Sequence, residues 1–546
     1  MKPLHMYIMA ATLAGSLFAT LVMTADDVGF ARDEGFYYRA SLRYQEWFDR
    51  LFEDPSAALT RESVDRYWSA NHEHPVLMKT LFGFSWRVFH RDLGWLRPST
   101  ALRLPGMLMA ALCVFLAVLW GARLHGPVAG LAAGVLLAAQ PRFFFHAHLA
   151  CFDVPVTAMW IATVYAYWKA QRSKRWAVAC GLIWGLCLCT KLNAFFIPPM
   201  LVAHHLAMLW WERRNGDRSR PVVPLSLVWM AVLGPLVFFA HWPWIWFDPV
   251  ARIGFYLGFH RAHPYYNIEY FGTTYFRAPG PVSFPFVMTA LTLPATTLLL
   301  TLLGMGARIR GWFGRGSGRG SGSGGGDTLL LVMCVLWPMA IIAWPTVPKF
   351  GGTKHWLPAM PVAAMFAGLG LRLVAQGLVD GFAARARRSA RTVLAGSLAL
   401  LLIAPAVRET VASHPFALTH YNVLIGGAPG AADAGLNRQY WGYTTGSLVE
   451  WFNANVEPSG SVFFHDTAYD SFQMYRDDGS LRRDIRWGST DDADIAIVHH
   501  EQHMAHVEYE IWERFDTTVP IRVLSHEGVP VISIYERNIR ADRGRP

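Results

Sequence analysis

Apolar runs of bilayer-crossing length recur through the first three quarters of the chain, separated by short connections that are basic or aromatic in turn. The runs lie at His5–Thr24, Leu104–Gly121, Val128–Gln140, Val154–Trp168, Trp176–Thr190 and Ala194–Trp211. Others follow at Val222–Trp242, Val282–Gly306, Leu329–Trp344, His355–Leu373 and Val393–Val407. A helix needs roughly 20 predominantly apolar residues to cross the hydrocarbon core, and on that measure the pattern predicts about eleven transmembrane helices. The first run is longer than the roughly 7–15 residues of a signal-peptide core, so an uncleaved signal anchor is preferred over a cleaved signal. Two stretches break the pattern. The segment from about residue 25 to 103 is polar and rich in Tyr and Trp, and within it Val76–Phe89 carries apolar residues at helical spacing, predicting a helix along the membrane surface. Beyond about Arg408 the chain turns polar, with strand-like runs at Ser461–His465, Ile495–Val498 and Val531–Tyr535 and a short helix at Gly446–Asn455. The expected architecture is a polytopic α-helical membrane domain over residues 1–407, with a first external loop at 25–103, and a small extracytoplasmic α/β domain over 408–546.

Composition agrees with a membrane protein: 546 residues, 53% hydrophobic, 16% charged and 23 tryptophans. The formal net charge of +10 would suit nucleic acid, but the basic residues lie where a positive-inside rule puts them. With the N-terminus in the cytoplasm, the inner connections carry Arg123; Arg172, Lys174 and Arg175; Arg213, Arg214, Arg218 and Arg220; Arg308, Arg310, Arg315 and Arg319; Arg385, Arg387, Arg388 and Arg391. The charge is therefore topological, nucleic acid is excluded as a partner, and the C-terminus falls outside. The Gly-Ser-rich Arg315–Asp327 segment lacks a preceding strand and a Gly-Lys-Ser/Thr, so it reads as a flexible linker rather than a phosphate loop. All six cysteines lie in or beside apolar runs, which excludes a disulfide framework or a zinc ribbon.

Candidate chemistry gathers on the outer face. Four carboxylates, Asp26, Asp27, Asp33 and Glu34, follow the first run within nine residues. They read either as a hydrated loop start or as a reacting group. Asp153 begins a span in Phe152-Asp-Val-Pro155, a setting that also suits a helix cap. Lys191 and the Lys354-His355 pair stand at outer helix ends where topology has no use for cations, leaving anion binding or snorkelling. The loop Phe259–Gly272 interleaves aromatics, Tyr265 and Tyr266 among them, with His260, Arg261, His263 and Glu269, which suits a sugar or a membrane-interface belt. His499–His506 holds four histidines but not the His-Glu-x-x-His spacing of a zinc protease. The chain carries no nucleotide fingerprint, so a group transferred outside would arrive on an activated, lipid-linked donor. A transporter or flippase of lipid-linked saccharides is the rival reading; it predicts polar residues near the midplane of several spans, whereas the acids and lysines here sit at the rim.

The order of these features resembles the GT-C fold glycosyltransferases of family 39, which include the protein O-mannosyltransferases and the lipid A aminoarabinose transferase. It runs Asp33-Glu34 after the first span, His74-Pro75 before a helix, Arg103-Leu-Pro105-Gly106, Asp153-Val-Pro155, Thr190-Lys191 and Gly352-Thr-Lys-His-Trp-Leu-Pro358, across roughly residues 1–405. Farther on, His420–Gly427 and Gln439–Gly442 are similar to the C-terminal regions of bacterial members. The resemblance implies inverting transfer of a sugar from a polyprenyl-phosphate donor to an extracytoplasmic acceptor, by a multi-pass protein among the lipids of a bacterial inner membrane. It implies Asp33 as general base with Glu34 beside it, and His74, Asp153, Lys191, Lys354, His355, Tyr265 and Tyr266 around the substrates. Members differ in metal use, so Asp153 is open to orienting the acceptor, binding the sugar or helping to hold a divalent cation. Lys354 stands where relatives often show Arg before His, which bears on the phosphate assignment.

Overall fold

In the computed structural model, which describes residues 3–314, 322–383 and 385–538, every apolar run named above is helical. Six of the described helices are long and apolar enough to cross a membrane, or up to eight if each of two bent pairs counts as one span. The runs at Val154–Trp168 and Trp176–Thr190 form helices of 18 and 15 residues, Asp153–Ala170 and Lys174–Leu188. Of the Gly-Ser-rich segment, residues 315–321 lie outside the described residues, and Gly322 begins the helix Gly322–Ala343.

Close helix packing explains the glycines of the apolar runs. A Cβ on Gly181 would lie 2.5 Å from the Trp229 carbonyl oxygen, and one on Gly234 would lie 2.2 Å from the Trp184 ring. The helices Lys174–Leu188 and Leu225–His241 therefore approach backbone to backbone, as small residues allow in a setting without a hydrophobic drive between helices. The bent pair Phe284–Thr292 and Ala295–Phe313 turns by 119° at its break. That turn frees carbonyls, and Asn422, arriving from far along the chain, satisfies them. Its amide Nδ2 donates to Ala290 O at 2.7 Å and Leu293 O at 2.6 Å, and its backbone N–H to Leu291 O at 2.8 Å.

The first external segment is more structured than its polarity suggests. Arg32–Glu53 is a single helix whose inward side, Tyr37, Ala40, Tyr44 and Trp47, repeats every three to four residues. The predicted surface helix appears as Leu77–Trp86, but it is wedged between Arg32–Glu53 and Pro98–His125, with Leu77, Met78, Lys79 and Phe82 buried.

After the last long helix, Arg388–Ser413, the chain builds a five-stranded sheet from β3 (Ser461–Phe464), β4 (Arg486–Trp487), β5 (Ile495–His499), β6 (Arg522–His526) and β7 (Val529–Glu536). A separate hairpin, β1 (Ile268–Tyr270) with β2 (Thr273–Tyr275), lies in the loop before Phe284. The large sheet runs β4-β3-β5-β7-β6, parallel from β4 to β5 and antiparallel from β5 to β6. Alternation along β5 sends Ile495 and Ile497 to one face and Ala496 and Val498 to the other, where the helix Ala505–Phe515 covers them. The first face is not closed by the sheet's own helices alone. Ile495, Ile497, Ile532 and Ile534 share one continuous core with Val28, Phe30, Tyr37, Phe82 and Phe152 of the membrane part. Hydrophobic packing thus runs straight across the compositional boundary at 407/408.

Candidate active site

A cavity of about 600 Å³ opens where the first external segment, the outer helix ends and the sheet domain meet. It is built from distant stretches of chain: Asp33 and Tyr37, the turn Asn71–His74, Lys191–Asn193, the loop around His260, Lys354–His355, and Trp441, Glu501 and His503.

Helix geometry separates the adjacent acids. Ala31 caps Arg32–Glu53, so Asp33 and Glu34 are the second and third helical residues and point about 100° apart. Asp33 faces the cavity with about a quarter of its side chain exposed. Glu34 is fully buried and does not line the cavity. Its carboxylate accepts from Arg103 Nε and Nη2, each at 2.9 Å, from Ala31 N at 3.0 Å and from Ala150 N at 2.9 Å. Arg103 uses its remaining donors on the carbonyls of Ala25, Val28 and Gly29. All five guanidinium N–H directions are thus engaged, and Glu34 is the counterion that fixes the loop before Asp33. The geometry assigns it no place beside a substrate, against the expectation for the pair.

Both lysines stand in carboxylate pairs. Lys354 Nζ lies 3.4 Å from Asp33 Oδ2, with only 4% of its side chain exposed. Lys191 Nζ donates to Asp153 Oδ1 at 2.6 Å, and Asp153 is buried behind it. Asp153 therefore acts on the cavity through Lys191. His74 and His355 both line the wall. Burial first, then the Lys79 ammonium, holds the His74 imidazole well below its usual range, so it is neutral. Of the two tyrosines, Tyr266 lines the cavity and Tyr265 does not, its hydroxyl being turned against Gly280. Asp26 pairs with Arg97 and Asp27 with His414, outside the cavity.

Three contributors were not legible in the sequence. Lys79, 0% exposed, donates to Asn71 O at 2.5 Å, Asn71 Oδ1 at 3.1 Å and His74 O at 3.0 Å, and so pins the turn that presents His74. Arg32 lines the cavity while ion-paired to Asp466 of the sheet domain. On the same side His503 Nδ1 meets Glu269 Oε1 at 3.0 Å and its Nε2 lies 3.4 Å from Glu501 Oε2. Burial first, then the Glu269 charge, pushes the Glu501 carboxyl up to about 8. The other histidines of that stretch part company: His499 faces Thr445 at 3.2 Å, and His500 faces Ser533 at 2.8 Å. Among the described residues, no group of three or more His, Cys, Asp or Glu side chains is gathered to hold a metal ion.

The family described as dolichyl-phosphate-mannose-protein mannosyltransferase matches residues 73–244, a stretch that includes His74, Asp153 and Lys191. No curated protein sequence matches the chain. Among solved structures, the crystal structure of ArnT from Cupriavidus metallidurans bound to undecaprenyl phosphate superposes with a TM-score of 0.50 at 13% identity, covering 96% of this chain and 97% of that one. The same protein in the apo state gives 0.49 at 13% identity with the same coverage. The archaeal oligosaccharyltransferase AglB from Archaeoglobus fulgidus, in complex with an inhibitory peptide and a dolichol-phosphate, gives 0.49 at 12% identity over 94% of this chain and 71% of that one. The fold is GT-C, with a small C-terminal sheet domain.

Proposed function

We propose that this chain transfers a sugar from a polyprenyl-phosphate donor to an acceptor outside the cytoplasm, with inversion at the anomeric carbon. The observation that carries the reading is one cavity holding a partly exposed carboxylate, Asp33, and two lysine ammoniums, with apolar lining as well. Phe196, Pro338, Ile341 and Ile342 supply that lining, which suits the start of an isoprenoid chain.

In this reading Asp33 takes the proton of the acceptor hydroxyl as its oxygen attacks the anomeric carbon. The bond from that carbon to the phosphate oxygen breaks, and the electron pair leaves on the phosphate. A carboxylate close to the reacting carbon also favours the oxocarbenium-like state that such transfers pass through. The phosphate needs cations rather than a general acid, and Lys191 and Lys354 are placed to supply them at a low-dielectric wall. Asp153 keeps Lys191 oriented, and His74, His355 and Tyr266 complete the sugar's surroundings. The family whose sequences match is described by a dolichyl-phosphate-mannose donor, and the ArnT structure of like fold holds undecaprenyl phosphate; both support a polyprenyl carrier here.

The distribution of Lys and Arg supports a cytoplasmic N-terminus and an external C-terminus, as in a bacterial inner membrane. The sheet domain would then share the aqueous side with the acceptor.

The test is Asp33→Asn in purified chain reconstituted with undecaprenyl-phosphate-linked hexoses and envelope extract as acceptor. Sugar transfer is expected to disappear while membrane insertion is unchanged and melting stays within a few degrees of the parent. Transfer at the parental rate would remove Asp33 from the chemistry.

A further inference from the structure

Among the residues that the C-terminal region brings to the cavity, Trp441 has an unusual backbone. Trp441 has φ of +66°, and Gly442 after it has φ of +61°. A bulky side chain in the left-handed region is an outlier that persists only where surrounding structure over-determines it, and such residues cluster at functional sites. What this turn achieves is visible in three contacts. The indole ring lies 3.9 Å from the Lys354 ammonium. The Phe350 ring lies 4.6 Å from the same ammonium. The Trp441 carbonyl accepts from the backbone N–H of Arg32 at 3.1 Å, one residue before Asp33.

The neighbouring glycine is explained by the same arrangement. Gly351 has φ of +65°, and a Cβ there would lie 2.6 Å from Trp441 Cζ2 and 2.8 Å from Lys354 Cε. Any side chain at 351 would push the ring off the lysine. Trp441, Phe350 and Gly351 therefore form a cage around the ammonium, whose one hydrogen-bond partner among the described residues is Asp33 at 3.4 Å.

We propose that Trp441 is a positioning residue: with Phe350 it cages the Lys354 ammonium beside Asp33, so that the external domain sets where the donor's phosphate is held. This rests on the polyprenyl-phosphate reading above. The physical reason is that lysine is a point charge on a flexible four-carbon stem. Ring faces attract a desolvated cation without neutralising it, whereas a second carboxylate would cancel the charge that an anion needs. The cage thus supplies orientation without adding a second neutralising partner alongside Asp33.

The test uses the full chain in lipid nanodiscs, with undecaprenyl phosphate as probe, and the variants Trp441→Leu, Trp441→Phe, Phe350→Leu and Lys354→Met. Trp441→Leu keeps an apolar side chain but removes the π face and is expected to weaken undecaprenyl phosphate binding about tenfold. Trp441→Phe should stay within about twofold of the parent. In the Lys354→Met background Trp441→Leu should add nothing further. Phe350→Leu should weaken binding in the same lysine-dependent way and carries the test if Trp441→Leu does not fold. Parental binding by Trp441→Leu, or an equal loss with Lys354 already gone, overturns the positioning role. Melting temperatures of the same set separate the two layers of the argument. Non-additive losses for Trp441→Leu and Lys354→Met support the cage whatever the ligand, and additive losses overturn it. A parent that does not bind undecaprenyl phosphate overturns the donor reading, and with it the cage's role in phosphate binding.

Discussion

Substituting Glu34 by Gln should cost much more stability than the adjacent Asp33→Asn. Glu34 accepts four hydrogen bonds, two from Arg103 and two from peptide N–H groups, at 2.9–3.0 Å. A glutamine keeps one carbonyl oxygen and can serve about half of them. Its NH2 then faces either the guanidinium or a peptide N–H, donor against donor. The buried Arg103 charge is also left without its counterion. Breaking a buried pair by removing one partner costs about 3–5 kcal/mol. Two donors stranded at about 1–3 kcal/mol each give the same size. Asp33 is about a quarter exposed and its pair with Lys354 is long at 3.4 Å, so losing that charge should cost about 1 kcal/mol, a shift of a few degrees and well short of the Glu34 loss. The assay is thermal melting of detergent-solubilised protein, followed by size-exclusion recovery, alongside transfer activity. Glu34→Gln melting together with Asp33→Asn would refute the counterion argument. If such a stable Glu34→Gln protein had also lost transfer, Glu34 would return to the chemistry.

The remaining predictions also concern what the sheet domain and its approach contribute. Burial, then Glu269, raises the Glu501 carboxyl from 4.5 to about 8. Between those values the folded chain keeps a proton that the unfolded chain has lost, so rising pH favours unfolding, by up to about 1.4 kcal/mol per pH unit. Stability should therefore fall from pH 5 to pH 8, and Glu501→Gln should flatten that slope; a constant difference in melting temperature between parent and variant across this window would sink the assignment. At the bent helix, Asn422→Ala strands the Ala290 and Leu293 carbonyls and should cost about 2–4 kcal/mol in melting. Asn422→Asp, which offers acceptors to those acceptors, should be worse, and an Asp variant melting no lower than the Ala variant would refute the hydrogen-bond account.

Much of the fold was legible because bilayer and sheet impose simple periods. The apolar runs all became helices, and alternation located β3, β5 and β7 to within a few residues. Arg32–Glu53 was not legible because its buried side is written in Tyr, Trp and Ala among many charges, a stripe easily mistaken for an interfacial aromatic segment. The division of labour between Asp33 and Glu34 depends on Arg103, about seventy residues away, and no local pattern encodes it. The same holds for the lysines. Lys191 and Lys354 could be noticed as unexplained outer cations, yet Asp153 and Asp33 as their partners emerge only when four separate helix ends converge. Tyr265 and Tyr266 are neighbours in an aromatic loop, and only the observed backbone turns one toward the cavity and the other toward Gly280.

The compositional boundary at 407/408 therefore marks a change of solvent more than a change of structural unit. A domain that merely selected acceptors could sit at the end of a tether and keep its own core. Here one core runs from Phe30, Phe82 and Phe152 to Ile495, Ile532 and Ile534. Asn422 closes the break in a membrane helix, Asp466 pairs with Arg32, and the Trp441 carbonyl holds the amide next to Asp33. The last two contacts act on Arg32, which lines the cavity beside Asp33, and all of them come from beyond residue 407. In the proposed transferase reading, a cavity wall made jointly by the apolar helices and the polar sheet would set a charged donor group at the boundary of the two solvents. There a phosphate on an isoprenoid chain could present its sugar to a water-borne hydroxyl.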